Sequence, residues 1–200
     1  MKLVSILLLL VGLTPVLCAQ EFEYPEGVYM SWDEVKLKSP SQHFQVLVEE
    51  RSNTDIATNG GNQYKVVPVD SVPKKTIKQK IWAVSDGKDL YLNGYPFNIQ
   101  SSYMKAEHIG TRVIIVQGVA RNEDVPGIAG GLVVAMIVGS KRPIYRIGKT
   151  SGRTQKLDKQ TIEKELENDP EILAMFQAEK HQGDAQTILK YAIIINSNHR

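Results

Sequence analysis

The chain has 200 residues, with 24 Lys and Arg, 22 Asp and Glu, one Cys and a formal net charge of +2 at pH 7. A hydrophobic fraction of 42% is typical of a globular protein and argues against disorder, collagen and a polytopic membrane protein. The weak net charge and the lack of a dense Lys/Arg block argue against nucleic-acid binding.

The first 19 residues have the pattern of a secretory signal peptide. Lys2 supplies a positive start, the run from Leu3 to Leu13 is apolar, and Pro15 ends it. This run is shorter than the ~20 apolar residues that a membrane-spanning helix needs. The small residue Ala19 favours cleavage before Gln20, so we expect an exported protein in the periplasm or the extracellular space.

Cys18 leaves open a lipoprotein, which is cut before a cysteine that then carries the lipid. The residue before it is Leu17, whereas lipoprotein processing prefers a small residue there. Cleavage after Ala19 instead leaves a mature chain without cysteine. Such a chain depends on its hydrophobic core for stability and has neither disulfides nor thiol chemistry.

The chain from residue 24 to residue 80 predicts one short helix and two strands. Ser31 and Glu34 form a capping-box pattern at the start of a helix from Trp32 to Lys38. Strands are predicted over 44–49 and 64–69 by their alternation of apolar and polar residues, and Pro73 marks a break after them.

The clearest local unit is a β-hairpin, with strands over 81–84 and 89–93 around the turn residues Asp86 and Gly87. Glycine tolerates a positive φ and aspartate bonds nearby backbone, which makes Asp-Gly a turn signal. Further strands are predicted over 97–100, 103–108, 111–120, 144–147 and 154–157.

The end of the chain predicts three helices. Asp158 precedes the first, Asp169 caps the second with Pro170 at its first position, and Gly183 and Asp184 open the third. We therefore predict one α+β domain over residues 20–200. It has a short N-terminal helix, an antiparallel meander sheet or partly open barrel over about 44–157, and a helical region over about 158–196.

Aromatic residues concentrate in and after the predicted hairpin, and they are the candidate ligand-binding surface. Strand alternation places Trp82 with Val84 on one face, and Tyr91 with Asn93 on one face. The candidate residues are Trp82, Tyr91, Asn93 and Tyr95, for a small ligand or a protein partner. Packing of the same aromatic residues in the core is the other interpretation.

The segment from Gly127 to Gly139 is free of charge and 13 residues long. It is too short for a spanning helix, which favours a buried strand or helix. Its small residues also allow close contact with a membrane or a partner, and a mobile flap is the third interpretation.

The sequence predicts no catalytic residue, no cofactor and no metal site. The four histidines are widely separated, and no pair has the one-turn spacing of a zinc site. Gly148-Lys149-Thr150 lacks the earlier glycine of a P-loop. The alternative is a periplasmic hydrolase that uses carboxylates or His108 in a sheet-side cleft.

Three segments together resemble a family of exported proteins of unknown function from Bacteroidetes-type bacteria. They are Gly27 to Val35, Ile81 to Asn93, and Ile144 to Ile147 followed by the helix at Asp169 to Leu173. The resemblance implies location and architecture and assigns no catalytic residue. We therefore expect an exported, non-catalytic binding or interaction module, with a hydrolase or a peripheral membrane protein, attached through Cys18 or Gly127–Gly139, as alternatives.

Overall fold

The computed structural model describes residues 24–42, 45–52, 54–56, 62–69, 73–99, 102–119 and 142–198. The predictions on Cys18, Ala19, Gln20 and the segment Gly127–Gly139 lie outside these residues.

The described residues form an α+β fold, which confirms the predicted class. The strands are β1 (Gly27–Tyr29), β2 (Val46–Glu50), β3 (Tyr64–Pro68), β4 (Ala83–Ser85), β5 (Leu90–Asn93), β6 (Tyr103–Ile109), β7 (Val113–Gln117), β8 (Ile144–Gly148) and β9 (Thr154–Leu157). The helices are α1 (Trp32–Leu37), α2 (Lys74–Gln79), the 3-10 helix η1 (Tyr95–Phe97), α3 (Lys159–Glu165), α4 (Pro170–Gln177) and α5 (Ala185–Asn198).

The predicted caps set the ends of the helices. Ser31 Oγ accepts a hydrogen bond from the backbone N–H of Glu34 at 3.2 Å, and Glu34 Oε2 accepts one from the N–H of Met30 at 2.7 Å. Asp158 and Asp169 accept backbone N–H groups at the starts of α3 and α4. These side chains satisfy backbone donors that a helix start leaves without partners.

One predicted strand is wrong, and one helix was not predicted. The segment predicted as a strand over 97–100 does not begin as a strand. Phe97 is the last residue of η1, and Asn98 has a φ of 55°, which does not occur in an extended strand. Pro96 also removes a backbone donor there. The break predicted at Pro73 does follow a strand, since β3 ends at Pro68, but Pro73 also precedes α2, a helix that was not predicted.

The sheet is antiparallel throughout its described strands, with the order β1-β4-β5-β6-β7-β8-β9. The run from β4 to β9 is the predicted meander. The β2–β3 hairpin joins this sheet at a single pair, Tyr64 with Tyr103 of β6. Within the described ranges β1 and β9 do not pair with each other, so the sheet is open and not a barrel.

Alternating side chains give the sheet two covered faces. On the first face, Tyr29, Leu92, Ile114 and Ile147 form a cluster with Val35 of α1. We call it the first-face cluster.

The second face carries two separate apolar clusters. The hairpin-side cluster joins β1, β3, β4, β5 and α2, and it includes Val28, Tyr64, Ile77, Val84 and Tyr91. The helix-side cluster joins β7 and β8 to the C-terminal helices, and it includes Ile115, Ile144, Ile162, Phe176 and Tyr191. Each cluster buries its large side chains, which supplies the main driving force for folding.

Candidate functional site

Trp82 lies in a group of three aromatic rings on the first-face cluster. Its ring centroid is 6.3 Å from that of Trp32 and 5.3 Å from that of Phe97. Trp32 Nε1 donates a hydrogen bond to the carbonyl of Lys149 at 2.8 Å. Trp82 precedes β4 and packs on this cluster, whereas Val84 belongs to the hairpin-side cluster. The predicted alternation of Trp82 with Val84 is therefore wrong.

Tyr91 and Asn93 lie on the second face of the sheet. The Tyr91 ring packs 5.1 Å from the Tyr64 ring, and its hydroxyl donates to Asp86 Oδ2 at 3.3 Å. Asn93 is 1% exposed, and its Nδ2 donates to the carbonyls of Lys78 at 2.9 Å and Ile81 at 2.7 Å. These bonds join the end of β5 to α2, through Lys78, and to Ile81 in the segment that follows α2.

Tyr95 is the exposed member of the four predicted binding residues, with 46% of its surface accessible. Its backbone N–H donates to Asn93 Oδ1 at 3.1 Å. The structure thus divides the predicted set among a first-face cluster, a second-face cluster and an exposed turn. It brings Tyr91 and Asn93 to one face and does not bring Trp82 to that face.

A polar strip lies on the second face between the two apolar clusters. It runs across β6 and its neighbours and contains Glu50, Gln63, Asp89, Lys105, Glu107, Gln117 and Arg142. Lys105 and Glu107 lie on β6, which pairs with β5 on one edge and with β7 and β3 on the other. Charged residues are rarely placed on a covered face of a central strand without a specific reason.

Hydrogen bonds and one ion pair connect most members of the polar strip. Lys105 Nζ lies 2.8 Å from Asp89 Oδ2, with about a third of the Lys105 side chain (32%) and a quarter of the Asp89 side chain (24%) exposed. Gln63 Nε2 donates to Glu50 Oε1 at 3.2 Å, and Arg142 Nη1 donates to Gln63 Oε1 at 2.5 Å. The strip is therefore organised and also reaches solvent.

Glu107 is the extra residue of a β-bulge. Ala106 pairs with Val116 and His108 pairs with Ile115, so two steps along β6 face one step along β7. Burial raises the pKa of Glu107, the positive charges of Lys105 and Arg142 lower it, and nearby carboxylates raise it again. Its half-buried carboxylate is a hydrogen-bond acceptor that also reaches solvent, so a ligand can approach it.

Gln117 adds a buried amide to the polar strip. It is 8% exposed, and its Nε2 atom has no hydrogen-bond partner in the described part of the chain. It follows Val116, the partner of Ala106, so the register places it beside Lys105 on the second face. A buried polar atom without a partner costs about 1–3 kcal/mol, which is why such atoms usually have one.

Two other polar regions lie outside the polar strip. Burial and the charge of Lys149 lower the pKa of His108, which lies opposite Ile115. A shallow cavity of about 580 Å³ opens beside α3, and Asp158 is among its lining residues. Hydrogen bonds from Thr161 lower the pKa of Asp158 and already use its carboxylate as a helix cap. Neither region offers an unused buried acceptor together with an unused donor.

Neither a metal-binding group nor a membrane-spanning helix is found in the described ranges. No three His, Cys, Asp or Glu residues of those ranges converge closely enough to hold a metal ion. No helix there is both long and apolar enough to cross a bilayer.

The sequence analysis missed the polar strip. Lys105 and Glu107 alternate with Met104 and Ala106, which is also the pattern of an ordinary strand with one solvated face. Only the pairing of β6 on both edges and the apolar clusters on either side show that Lys105 and Glu107 are half-buried. An adjacent Glu107-His108 pair breaking the alternation was the one available signal, because a bulge disturbs strand periodicity.

Comparison with known proteins identifies a family and no activity. The model of a family of unknown function (DUF6563) matches residues 27–199. This match confirms the expected membership in a family without an assigned function, while the Bacteroidetes origin stays a prediction. No curated protein and no solved structure matches the chain.

Proposed function

We propose that this chain, which belongs to the family of unknown function DUF6563, is an exported, non-catalytic binding protein whose ligand site is the polar strip. The observation that carries the proposal is the position of Lys105 and Glu107. They lie half-buried on a central strand, between two apolar clusters, where packing alone favours apolar side chains. A ligand that pairs with them gives these side chains the polar partners that water supplies elsewhere.

The surroundings of the polar strip also suit ligand binding. The rings of Tyr64 and Tyr91 border the strip on the side of the hairpin-side cluster. Ligand sites commonly combine apolar walls with a few polar groups that set orientation. Lys105 is held by Asp89 and Arg142 by Gln63, so the charged groups are oriented before a ligand arrives.

Export is the second part of the proposal. It is supported by the apolar run Leu3–Leu13, the helix breaker Pro15 and the small residue Ala19 before Gln20. Outside the cytoplasm, a module of this kind would meet its ligand in the periplasm or the extracellular space.

The binding proposal is tested by an NMR screen of ¹⁵N-labelled chain starting at Gln20 against a chemically diverse fragment set. We expect at least one fragment to shift the backbone amides of Lys105, Glu107 and Gln117. We expect Glu107→Gln to weaken that fragment's affinity about ten-fold, because a charge-assisted hydrogen bond is lost.

Glu49→Gln is the matched control, because Glu49 lies on β2 with 53% of its side chain exposed and pairs with Lys65. It should leave the fragment's affinity unchanged. Failure of every fragment to shift the strip residues, or equal weakening by both variants, would contradict the proposal.

A hydrolase is the second candidate function, and one observation favours it. Glu107 and His108 are adjacent in the bulge, and their surroundings move their pKa values in opposite directions, upward for Glu107 and downward for His108. Pairs of this kind carry acid and base roles in many enzymes. Recovery of the bound fragment after incubation separates the candidates, because a binding protein returns it intact and a hydrolase returns its cleavage products.

A further inference from the structure

Glu107 and Gln117 offer complementary hydrogen-bonding groups on the polar strip. The Glu107 carboxylate is a pure acceptor when ionised, and the Nε2 atom of Gln117 is a pure donor. Gln117 Nε2 has no hydrogen-bond partner among the described residues, and the half-buried carboxylate of Glu107 lies on the same strip. A ligand that satisfies both must carry a donor and an acceptor close together.

The formal charge of the polar strip favours a cationic donor. Glu50, Asp89 and Glu107 are acidic, and Lys105 and Arg142 are basic, which leaves one negative charge in excess. Lys105 pairs with Asp89, and the charges of Lys105 and Arg142 both act on Glu50 and Glu107. A single positive charge on the ligand completes the balance in a half-buried place, where charges interact more strongly than in water.

We propose that the ligand is an α-amino carbonyl compound, such as a free peptide N-terminus, whose ammonium binds Glu107 and whose carbonyl accepts from Gln117. This inference rests on the proposed binding function of the polar strip. An α-ammonium has three donors, and the adjacent carbonyl has the acceptor that Gln117 lacks. A lysine or arginine side chain has the charge without the acceptor, and a sugar hydroxyl has both donor and acceptor without the charge.

The test measures affinity by NMR titration of the same labelled chain with three probes. Trialanine amide carries both groups, N-acetyl-trialanine amide lacks the ammonium, and n-butylamine lacks the carbonyl. We expect trialanine amide to shift the Gln117 side-chain amide and to bind about ten-fold more tightly than either other probe, because each of them loses one hydrogen bond to a buried partner.

Two variants assign the two contacts. Glu107→Gln should reduce the affinity for trialanine amide about ten-fold, and Gln117→Met should abolish its advantage over n-butylamine. Glu49→Gln should change neither value. Alaninamide distinguishes the source of the chemistry: affinity equal to that of trialanine amide indicates a single amino-acid unit, and weaker affinity indicates a peptide.

The outcomes separate this inference from the proposed function. If the acetylated probe or n-butylamine binds as tightly as trialanine amide, the α-amino carbonyl assignment is wrong. If other fragments shift the amides of the strip residues and none of the amine probes does, the proposed binding function is supported and the proposed ligand class is wrong. If no compound shifts the amides of the strip residues, the proposed binding function and the proposed ligand class are both wrong.

Discussion

Lys105 and Glu107 occupy positions where a folding protein usually places apolar side chains. Both lie half-buried on β6, between two apolar clusters. Keeping charge there costs stability, since a half-buried carboxylate gives up part of its hydration. Functional sites often carry such local costs, which the rest of the fold offsets.

Glu107→Gln is expected to raise the free energy of unfolding by about 1 kcal/mol near pH 7, because it removes a poorly solvated charge. The pKa of Glu107 is raised in the folded state above its ordinary value of 4.5. As pH increases, the unfolded chain therefore loses this proton first, and stability falls between 4.5 and the higher folded-state pKa. Below that window the carboxyl is protonated in both states and the penalty is absent.

Urea unfolding of the wild type and the variant, at about pH 4 and about pH 7, measures this difference. The two proteins should be equally stable at the lower pH and should differ at the higher one. The exposed variant Glu49→Gln should stay within about 0.5 kcal/mol of the wild type at both values. A wild type that is more stable than Glu107→Gln near pH 7 would refute the interpretation of Glu107 as a strained group.

The β4–β5 hairpin shows how local chemistry determines an element. Asp86 Oδ1 accepts hydrogen bonds from the backbone of Lys88 at 2.9 Å and Asp89 at 2.7 Å. Gly87 has a φ of 86°, which side chains with a Cβ rarely adopt. The turn sets the register of Val84 with Tyr91 and so brings Asp89 to the edge of the polar strip.

Gly87→Ala is expected to lower the free energy of unfolding by about 1–2 kcal/mol, because alanine pays a steric cost at positive φ. Space is not the reason, since the nearest atom to an added Cβ is 3.7 Å away. Gly183→Ala is the control, because an added Cβ there meets nothing within 4 Å and the backbone is not at positive φ. It should change stability by less than about 0.5 kcal/mol, and equal losses in urea unfolding would contradict the argument.

At the scale of the whole molecule, the polar strip exists because two apolar clusters share one face without meeting. The hairpin-side cluster is covered by α2 and the β2–β3 hairpin, and the helix-side cluster by α3, α4 and α5. The gap between them lies over β6, whose bulge at Glu107 adds a further local irregularity. The proposed site therefore lies between two groups of elements that pack on the same face of one sheet.

The whole chain is expected to be exported and cut before Gln20. Fractionation of the native host followed by intact mass should find a soluble protein that begins at Gln20, because the apolar run is too short to remain as a spanning anchor. A membrane-bound form that begins at Cys18 and carries added acyl mass would contradict this prediction and favour the lipoprotein. A membrane-bound form without lipid would instead direct attention to Gly127–Gly139.

The sequence by itself determined the local elements, because caps and turns depend on neighbouring residues. Several local features form where their residue types predict them. They are the capping box at Ser31 and Glu34, the Asp86-Gly87 turn and the starts of α3 and α4. Family membership was also evident from short segments, since the expected family of unknown function matches residues 27–199. The helix α2 and the turn η1 were missed because proline marks both breaks and starts.

Only the tertiary structure decided which polar residues meet. Glu50, Lys105 and Arg142 are far apart in sequence, and long-range strand pairing brings them to one place. Alternation predicts that a side chain points to one of the two faces of a strand. It does not predict which face is covered or which elements cover it. The polar strip depends on the order of the strands and on the packing of α2 and α5 against the sheet. No local pattern in the chain could therefore specify the strip.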